Sequence, residues 1–201
     1  MAPDIQAYTA VMEEIKRRVA VVEKLRSNNI ALLYPATQVE STVLQVRMIT
    51  ELVALASLAA NKSIFEENRR KFDKHWDPVK ILKDVERLNP EFYPKPVVEA
   101  RSETPGVKTI LVDMTSGFME QDELIEVHGR CGNVLHARNP YAEALDYGAY
   151  DRIVPTWMSR ITALLNCHRI KLLDGDSFYL VHMHEAHDGR VHMYTFQRTD
   201  A

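Results

Sequence analysis

The chain has 201 residues, a formal net charge of −3 at pH 7, and a composition that is 46% hydrophobic and 26% charged. This composition excludes a disordered or fibrous protein, and the length is sufficient to bury one substantial core. The acidic balance gives no overall attraction to nucleic acid, so any such contact would need a local basic patch. Two cysteines predict no disulfide framework, and the first residues lack a signal-peptide pattern. We therefore expect a cytoplasmic protein.

Two long segments predict the first helices. Apolar residues recur three and four apart over residues 5–27, which predicts a helix with one face on a core. Residues 37–60 begin with a capping-box pattern and are apolar nearly all round, so we expect this second helix at the centre of a bundle. Gln45, Arg47 and Glu51 interrupt its apolar run, which favours a buried helix over a membrane span.

Arg47 and Glu51 are the notable charges of this central helix. They lie four residues apart and therefore share a helix face. Buried charges are usually paired, which predicts an internal ion pair between the two side chains. A second interpretation is that they border a polar site, and both interpretations can hold together.

The next part of the chain is polar and then rich in proline. Residues 64–74 predict a charged, solvated helix that carries Arg70 and is followed by His75, and residues 78–88 predict a further helix. Four prolines lie in residues 89–106, which predicts an extended connector and neither helix nor sheet. The β-branched run that follows, at residues 108–113, favours a short strand.

Residues 124–141 carry the strongest chemical signal. Their apolar positions recur at three- and four-residue steps, which predicts a helix that ends before the proline at position 140. Arg130 and His136 lie in this segment with five residues between them, including Gly132 and Asn133, both of which are poor in helix interiors. A fixed cation close to a titratable base is a combination suited to acid–base chemistry.

Other chemistries have weaker signals. The chain has no nucleophile elbow, no phosphate-binding loop and no glycine-rich dinucleotide fingerprint. Cys131 follows Arg130 directly, so a lowered thiol pKa and a cysteine–histidine pair with His136 are conceivable from the sequence. The position of Cys131 on the apolar stripe of its predicted helix favours a small core residue instead.

The C-terminal part changes from helix to strand. A helix over residues 151–165 precedes three predicted strands, at residues 169–173, 177–185 and 190–198. We therefore predict an α+β fold, mainly α, as a single compact unit. A helical bundle would occupy residues 1–168, and a three-stranded antiparallel sheet would occupy residues 169–201 and pack on it.

Five of the eight histidines lie near these strands: His168, His182, His184, His187 and His192. With Asp188 and Gly189 as a two-residue hairpin turn, Glu185 would pair with His192. His182 and His184 would then project from one face of the sheet, and His187 and His192 from the other. These four histidines could not then bind one ion together, and a polar sheet face is the simpler interpretation. A site of two histidines completed by residues of the helices stays an alternative, as does a metal-dependent hydrolase that uses the C-terminal histidines.

The sequence Arg130-Cys-Gly-Asn-Val-Leu-His136 is similar to the signature of the HEPN superfamily, in which four to six residues separate an arginine from a histidine on a helix of an α-helical bundle. The spacing of Arg47 and Glu51 also resembles a pattern found in some of its families. The resemblance covers roughly residues 5–166. Many HEPN proteins are metal-independent endoribonucleases of toxin–antitoxin, abortive-infection and other defence systems.

The resemblance implies that Arg130 and His136 are catalytic, with no cofactor. His136 would act as acid or base, and Arg130 would stabilise charge on the phosphorane. The residues expected to support the site or bind substrate are Arg47, Glu51, Asn133 and Arg138. A homodimer would supply a second histidine, and the expected partners are RNA and a cognate antitoxin or defence-system protein, without a membrane. The alternative is a non-catalytic HEPN-like interaction or regulatory protein of a defence operon.

Overall fold

The computed structural model describes residues 5–27, 30–61, 77–137, 139–171 and 177–197. Within these ranges the helices are α1 (Ile5–Arg26), α2 (Pro35–Ala60), α3 (Pro78–Leu88), α4 (Gln121–Gly132) and α5 (Tyr147–Leu165). The strands are β1 (Lys95–Arg101), β2 (Thr109–Asp113), β3 (Cys167–Lys171), β4 (Ser177–His182) and β5 (His192–Gln197). The predicted α+β class is confirmed. The predicted helix at residues 64–74, with Arg70, and the nearby His75 lie outside the described residues, as does Arg138.

Helix α2 occupies the centre of the helical part. It contacts α1, α3, α4 and α5, and its buried residues include Val43, Val46, Ile49 and Val53. Among the described helices, α2 alone is long and apolar enough to cross a membrane by length and composition, but half of its most apolar window is buried against its neighbours. These contacts identify α2 as a core helix of the described structure.

Within the described ranges the sheet has five strands, in the order β2-β1-β3-β4-β5, and all neighbouring strands are antiparallel. The prediction of three strands was therefore wrong, because β1 and β2 extend the sheet beyond β3. β1 contains Pro96 and lies in the segment predicted to be a connector. Proline lacks only the N–H donor, and the Pro96 carbonyl still accepts a hydrogen bond from the Met114 N–H at 3.0 Å. The β-branched run was predicted correctly as β2.

A buried polar contact joins α1 to the sheet. The Tyr8 hydroxyl lies 2.7 Å from His168 Nε2, and His168 Nδ1 lies 2.8 Å from the Leu165 carbonyl oxygen. Because that carbonyl can only accept, Nδ1 carries the proton of the neutral ring and Nε2 accepts from the tyrosine. Burial lowers the pKa of His168 to about 4, so the ring is uncharged at neutral pH.

The connection between β4 and β5 is longer than predicted. β4 ends at His182 and β5 begins at His192, and the two histidines lie opposite each other in the register. The turn predicted at Asp188 and Gly189 would instead place Glu185 opposite His192, and Glu185 lies three residues after His182. The Glu185 carbonyl instead accepts from the Gly189 N–H at 2.8 Å, which closes a wider turn. The observed register thus differs from the predicted one by three residues, and an odd difference moves side chains to the other face of the sheet. His182 and His192 therefore share a sheet face, and the prediction that they lie on opposite faces was wrong.

Candidate functional site

Helices α2 and α4 share a polar contact. Glu51 Oε1 lies 3.1 Å from Arg47 Nε on the same helix and 3.2 Å from His128 Nε2 on α4. The predicted ion pair between Arg47 and Glu51 is therefore confirmed, and Glu51 also links it to α4. The three side chains are partly exposed, at 30% for Arg47, 28% for Glu51 and 13% for His128, so the contact lies at the edge of the core.

Gly132 allows Arg47 to approach the end of α4. A Cβ atom at position 132 would lie only 2.9 Å from Arg47 Nη1, closer than a methyl group and a guanidinium can pack. The last turn of a helix carries unpaired carbonyls and the negative end of the helix dipole, which attract a cation. The glycine that weakens the predicted helix thus leaves space for a guanidinium from the neighbouring helix.

Arg130 lies in the last turn of α4, where it faces α5. Its Cζ atom is 5.0 Å from the centre of the Trp157 ring, and its Nη1 atom is 3.6 Å from Glu126 Oε1. The Tyr150 hydroxyl donates to the Arg130 carbonyl oxygen at 3.2 Å. A cation over an indole face is attracted by the ring quadrupole, which holds the guanidinium in place while 43% of the side chain stays exposed.

His136 does not lie on the helix. α4 ends at Gly132, and the N–H groups of Asn133, Val134 and Leu135 each donate to the carbonyl three residues earlier, so the chain continues as tight turns. The predicted helix, which continued to the residue before Pro140, was therefore too long, because Gly132 and Asn133 favour termination. His136 is exposed, and among the described residues no hydrogen bond or ion pair joins it to Arg130.

Two further polar residues of this region lie at different positions, Asn133 at the end of α4 and His128 within it. Asn133 is the C-cap residue of α4, exposed to solvent, and its backbone N–H donates to the Arg130 carbonyl oxygen at 3.2 Å. The sequence alone did not identify His128 as part of this polar contact. Two features of the sequence could have indicated it. His128 directly follows Val127, which is buried, and it lies four residues before Gly132, so it shares the helix face that meets α2.

Cys131 is a core residue. It is buried, and burial raises the pKa of its thiol to about 12, although the charges of Arg47 and Arg130 act in the opposite direction. The thiol is therefore protonated at neutral pH and enclosed. This arrangement does not support the cysteine–histidine interpretation, since a nucleophilic cysteine needs an accessible thiolate.

No family model, curated protein or solved structure matches this chain. The contacts among α2, α4 and α5 are therefore the basis of the functional proposal. Together they place two guanidinium groups and one histidine at the C-terminal end of α4, with His136 exposed a few residues further along.

Proposed function

We propose that this chain is a cytoplasmic, HEPN-like, metal-independent endoribonuclease of a toxin or defence type. It cleaves RNA with Arg130 and His136 in the cleft of a homodimer. The observation that supports this proposal is the contact between α2 and α4, the two helices whose residues resemble the superfamily. Glu51 pairs with His128 on α4, and Arg47 lies against Gly132. In the sequence, Gly132 lies between the two proposed catalytic residues. In this proposal the helices around α2 form the HEPN-like bundle.

The chemistry requires two proton transfers and one charge clamp. The RNA 2′-oxygen loses its proton to a base and attacks phosphorus, the bond from phosphorus to the 5′-oxygen breaks, and an acid protonates that leaving oxygen. The products are a 2′,3′-cyclic phosphate and a 5′-hydroxyl. His136 is exposed, so a substrate can reach its imidazole, a group that can give or take a proton. Its counterpart in a second copy of the chain supplies the other transfer.

Arg130 provides the charge clamp. Its guanidinium presents a planar set of donors that matches phosphate oxygens, and its attraction to Trp157 orients it before substrate arrives. The ion pair with Glu126 is long and exposed, so it contributes little free energy and a phosphate can replace it. Arg47, which pairs with Glu51, places a second guanidinium near the same helix end.

A second candidate function is a non-catalytic interaction or regulatory protein of a defence operon. The observation that favours it is the extent to which the charged groups already satisfy one another: Arg47 and His128 both bond to Glu51, and Arg130 contacts Glu126 and Trp157. In that case the cluster fixes α4 against α2 and α5. An antitoxin or another defence-system protein would be the partner under either function.

Expression in a bacterial host separates the two candidates. We expect induction of the wild-type chain to stop growth and to degrade cellular RNA, whereas His136→Ala at the same protein level should do neither. Growth is followed by optical density, RNA integrity by electrophoresis, and protein level by immunoblot. Intact RNA under the wild-type chain would favour the non-catalytic function, and equal RNA loss under His136→Ala would contradict the assigned role of this histidine.

A further inference from the structure

The β4–β5 loop, residues 183–191, is held against α1. The Lys16 ammonium donates to the Gly189 carbonyl oxygen at 2.5 Å, and the Val191 N–H donates to Glu13 Oε1 at 2.7 Å. Gly189 has a φ of +69°, a left-handed conformation that favours glycine, and its N–H closes the turn on Glu185. These bonds fix the direction in which the side chains at the tip of the loop project.

Asp188 turns one carboxylate oxygen toward two histidines. Its Oδ1 atom accepts from the Arg190 N–H at 2.9 Å, which leaves Oδ2 at 3.0 Å from His192 Nε2 and 3.5 Å from His187 Nε2. The backbone bond from Arg190 is the main reason that the pKa of Asp188 is lowered, to about 2, so the group is ionised at neutral pH. The two imidazole rings are 5.1 Å apart between centroids.

This arrangement has the dimensions of a metal site. The three ligand atoms all lie within 4.8 Å of one another. Ligand atoms at about 2.0–2.2 Å from a tetrahedral zinc ion are roughly 3.3 Å apart from each other. The distances from Asp188 Oδ2 to His192 Nε2, 3.0 Å, and to His187 Nε2, 3.5 Å, are close to this value. Two imidazole nitrogens and one carboxylate oxygen favour a transition metal of the zinc class over Mg²⁺ or Ca²⁺, which take oxygen ligands.

We propose that His187, Asp188 and His192 bind one divalent transition metal ion of the zinc class, with the fourth coordination position open. The neighbouring histidines do not belong to the ligand set. His182 Nδ1 is bonded to Glu185 Oε1 at 3.0 Å, and the same oxygen accepts from the Tyr194 hydroxyl at 2.7 Å. The His184 ring lies beside Gly189 instead, 3.2 Å from where a Cβ would be.

The bound ion would join the tip of the β4–β5 loop to the first residue of β5. Since α1 already contacts this loop through Glu13 and Lys16, the metal would stabilise the end of the sheet and the helix that covers it. This site is separate from the proposed catalytic residues, none of which is among its ligands. RNA cleavage in chelator and metal binding at this loop can therefore succeed or fail independently.

The test is titration of the untagged full chain with ZnCl₂ by isothermal calorimetry, with Co²⁺ absorption as a second readout of coordination. We expect one ion per wild-type chain, a visible d–d spectrum with Co²⁺, and no effect of Mg²⁺. His187→Ala and Asp188→Asn should each weaken Zn²⁺ binding at least tenfold. His187 is the most exposed ligand, so its replacement should leave the circular dichroism spectrum of the folded chain unchanged.

His184→Ala is the matched control, because this exposed histidine lies in the same loop outside the ligand set. Its Zn²⁺ affinity should equal that of the wild-type chain. Absence of Zn²⁺ binding to the wild-type chain would overturn the proposal. Equal affinity in the His187→Ala and wild-type chains, or equal weakening by His184→Ala, would also overturn it, since binding would then reflect histidine content and not this set of ligands.

Discussion

His136→Ala should lower the rate of RNA cleavage by the purified chain about 10²- to 10⁴-fold, the usual contribution of a positioned general acid or base. Arg130→Ala should cause a loss of about 10²- to 10³-fold, comparable to removing a donor that stabilises developing negative charge. Arg130→Lys keeps the charge but not the planar donor set, so an intermediate loss is expected. The measurement is the single-turnover cleavage rate of a labelled RNA.

His184→Ala serves as the control for loss of an exposed histidine elsewhere in the chain, and its cleavage rate should equal that of the wild-type chain. Thermal unfolding of each variant shows whether the fold is intact. This matters for Arg130→Ala, which also removes the contact with the Trp157 ring. Wild-type rates in folded His136→Ala or Arg130→Ala would remove these residues from the mechanism.

Acidification should destabilise the fold through His168. The folded-state pKa of about 4 lies below the ordinary histidine value of about 6.5, so between these values the unfolded chain binds more protons. The stabilisation is therefore complete above pH 6.5 and is lost as the pH falls toward 4, a decrease of about 3 kcal/mol in the free energy of unfolding. Urea unfolding at pH 7, 6, 5 and 4.5 measures the slope.

The control is His168→Gln, which removes the titration. This variant should be less stable than the wild-type chain at pH 7, because its buried contact with Tyr8 is disrupted, but its stability should depend less on pH between 6.5 and 4.5. The lowered pKa values of Glu91, Glu185 and Asp188, all about 2, affect stability mainly at lower pH. Equal slopes in variant and wild type would show that His168 is not the group responsible.

The helices were the most predictable part of the fold. Their apolar residues repeat with helical spacing, so α1, α2 and α3 were found close to their observed limits, and α5 was found with a start four residues too late. The ion pair of Arg47 and Glu51 was also predictable, because residues four apart on a helix always face the same way.

The errors came from features that depend on long-range contacts. Proline at position 96 locally disfavours a strand. Pro96 nevertheless lies in the sheet, because β1 pairs with β3 on one side and the Met114 N–H donates to the Pro96 carbonyl on the other. The loop at residues 183–191 had a strong two-residue turn signal at Asp188 and Gly189. Its observed turn is wider, and the Met183 N–H bonds to the Asn166 carbonyl instead of extending the predicted pairing.

The sequence selected candidate residues but did not predict their arrangement. The spacing of Arg130 and His136 placed both on one helix, whereas successive turns after Gly132 carry His136 off its end. His128 was missed because its role depends on Glu51, which is 77 residues earlier in the chain. A contact of this kind becomes visible only when the packing of α4 on α2 is known.

The most direct test of the proposed function is incubation of the purified, untagged chain with RNA in excess EDTA, with His136→Ala purified in parallel. The proposed mechanism predicts cleavage by the wild-type chain alone, with products that end in a 2′,3′-cyclic phosphate and a 5′-hydroxyl. Intact RNA in EDTA, cleavage that appears only when a metal is added, or equal cleavage by His136→Ala would contradict it.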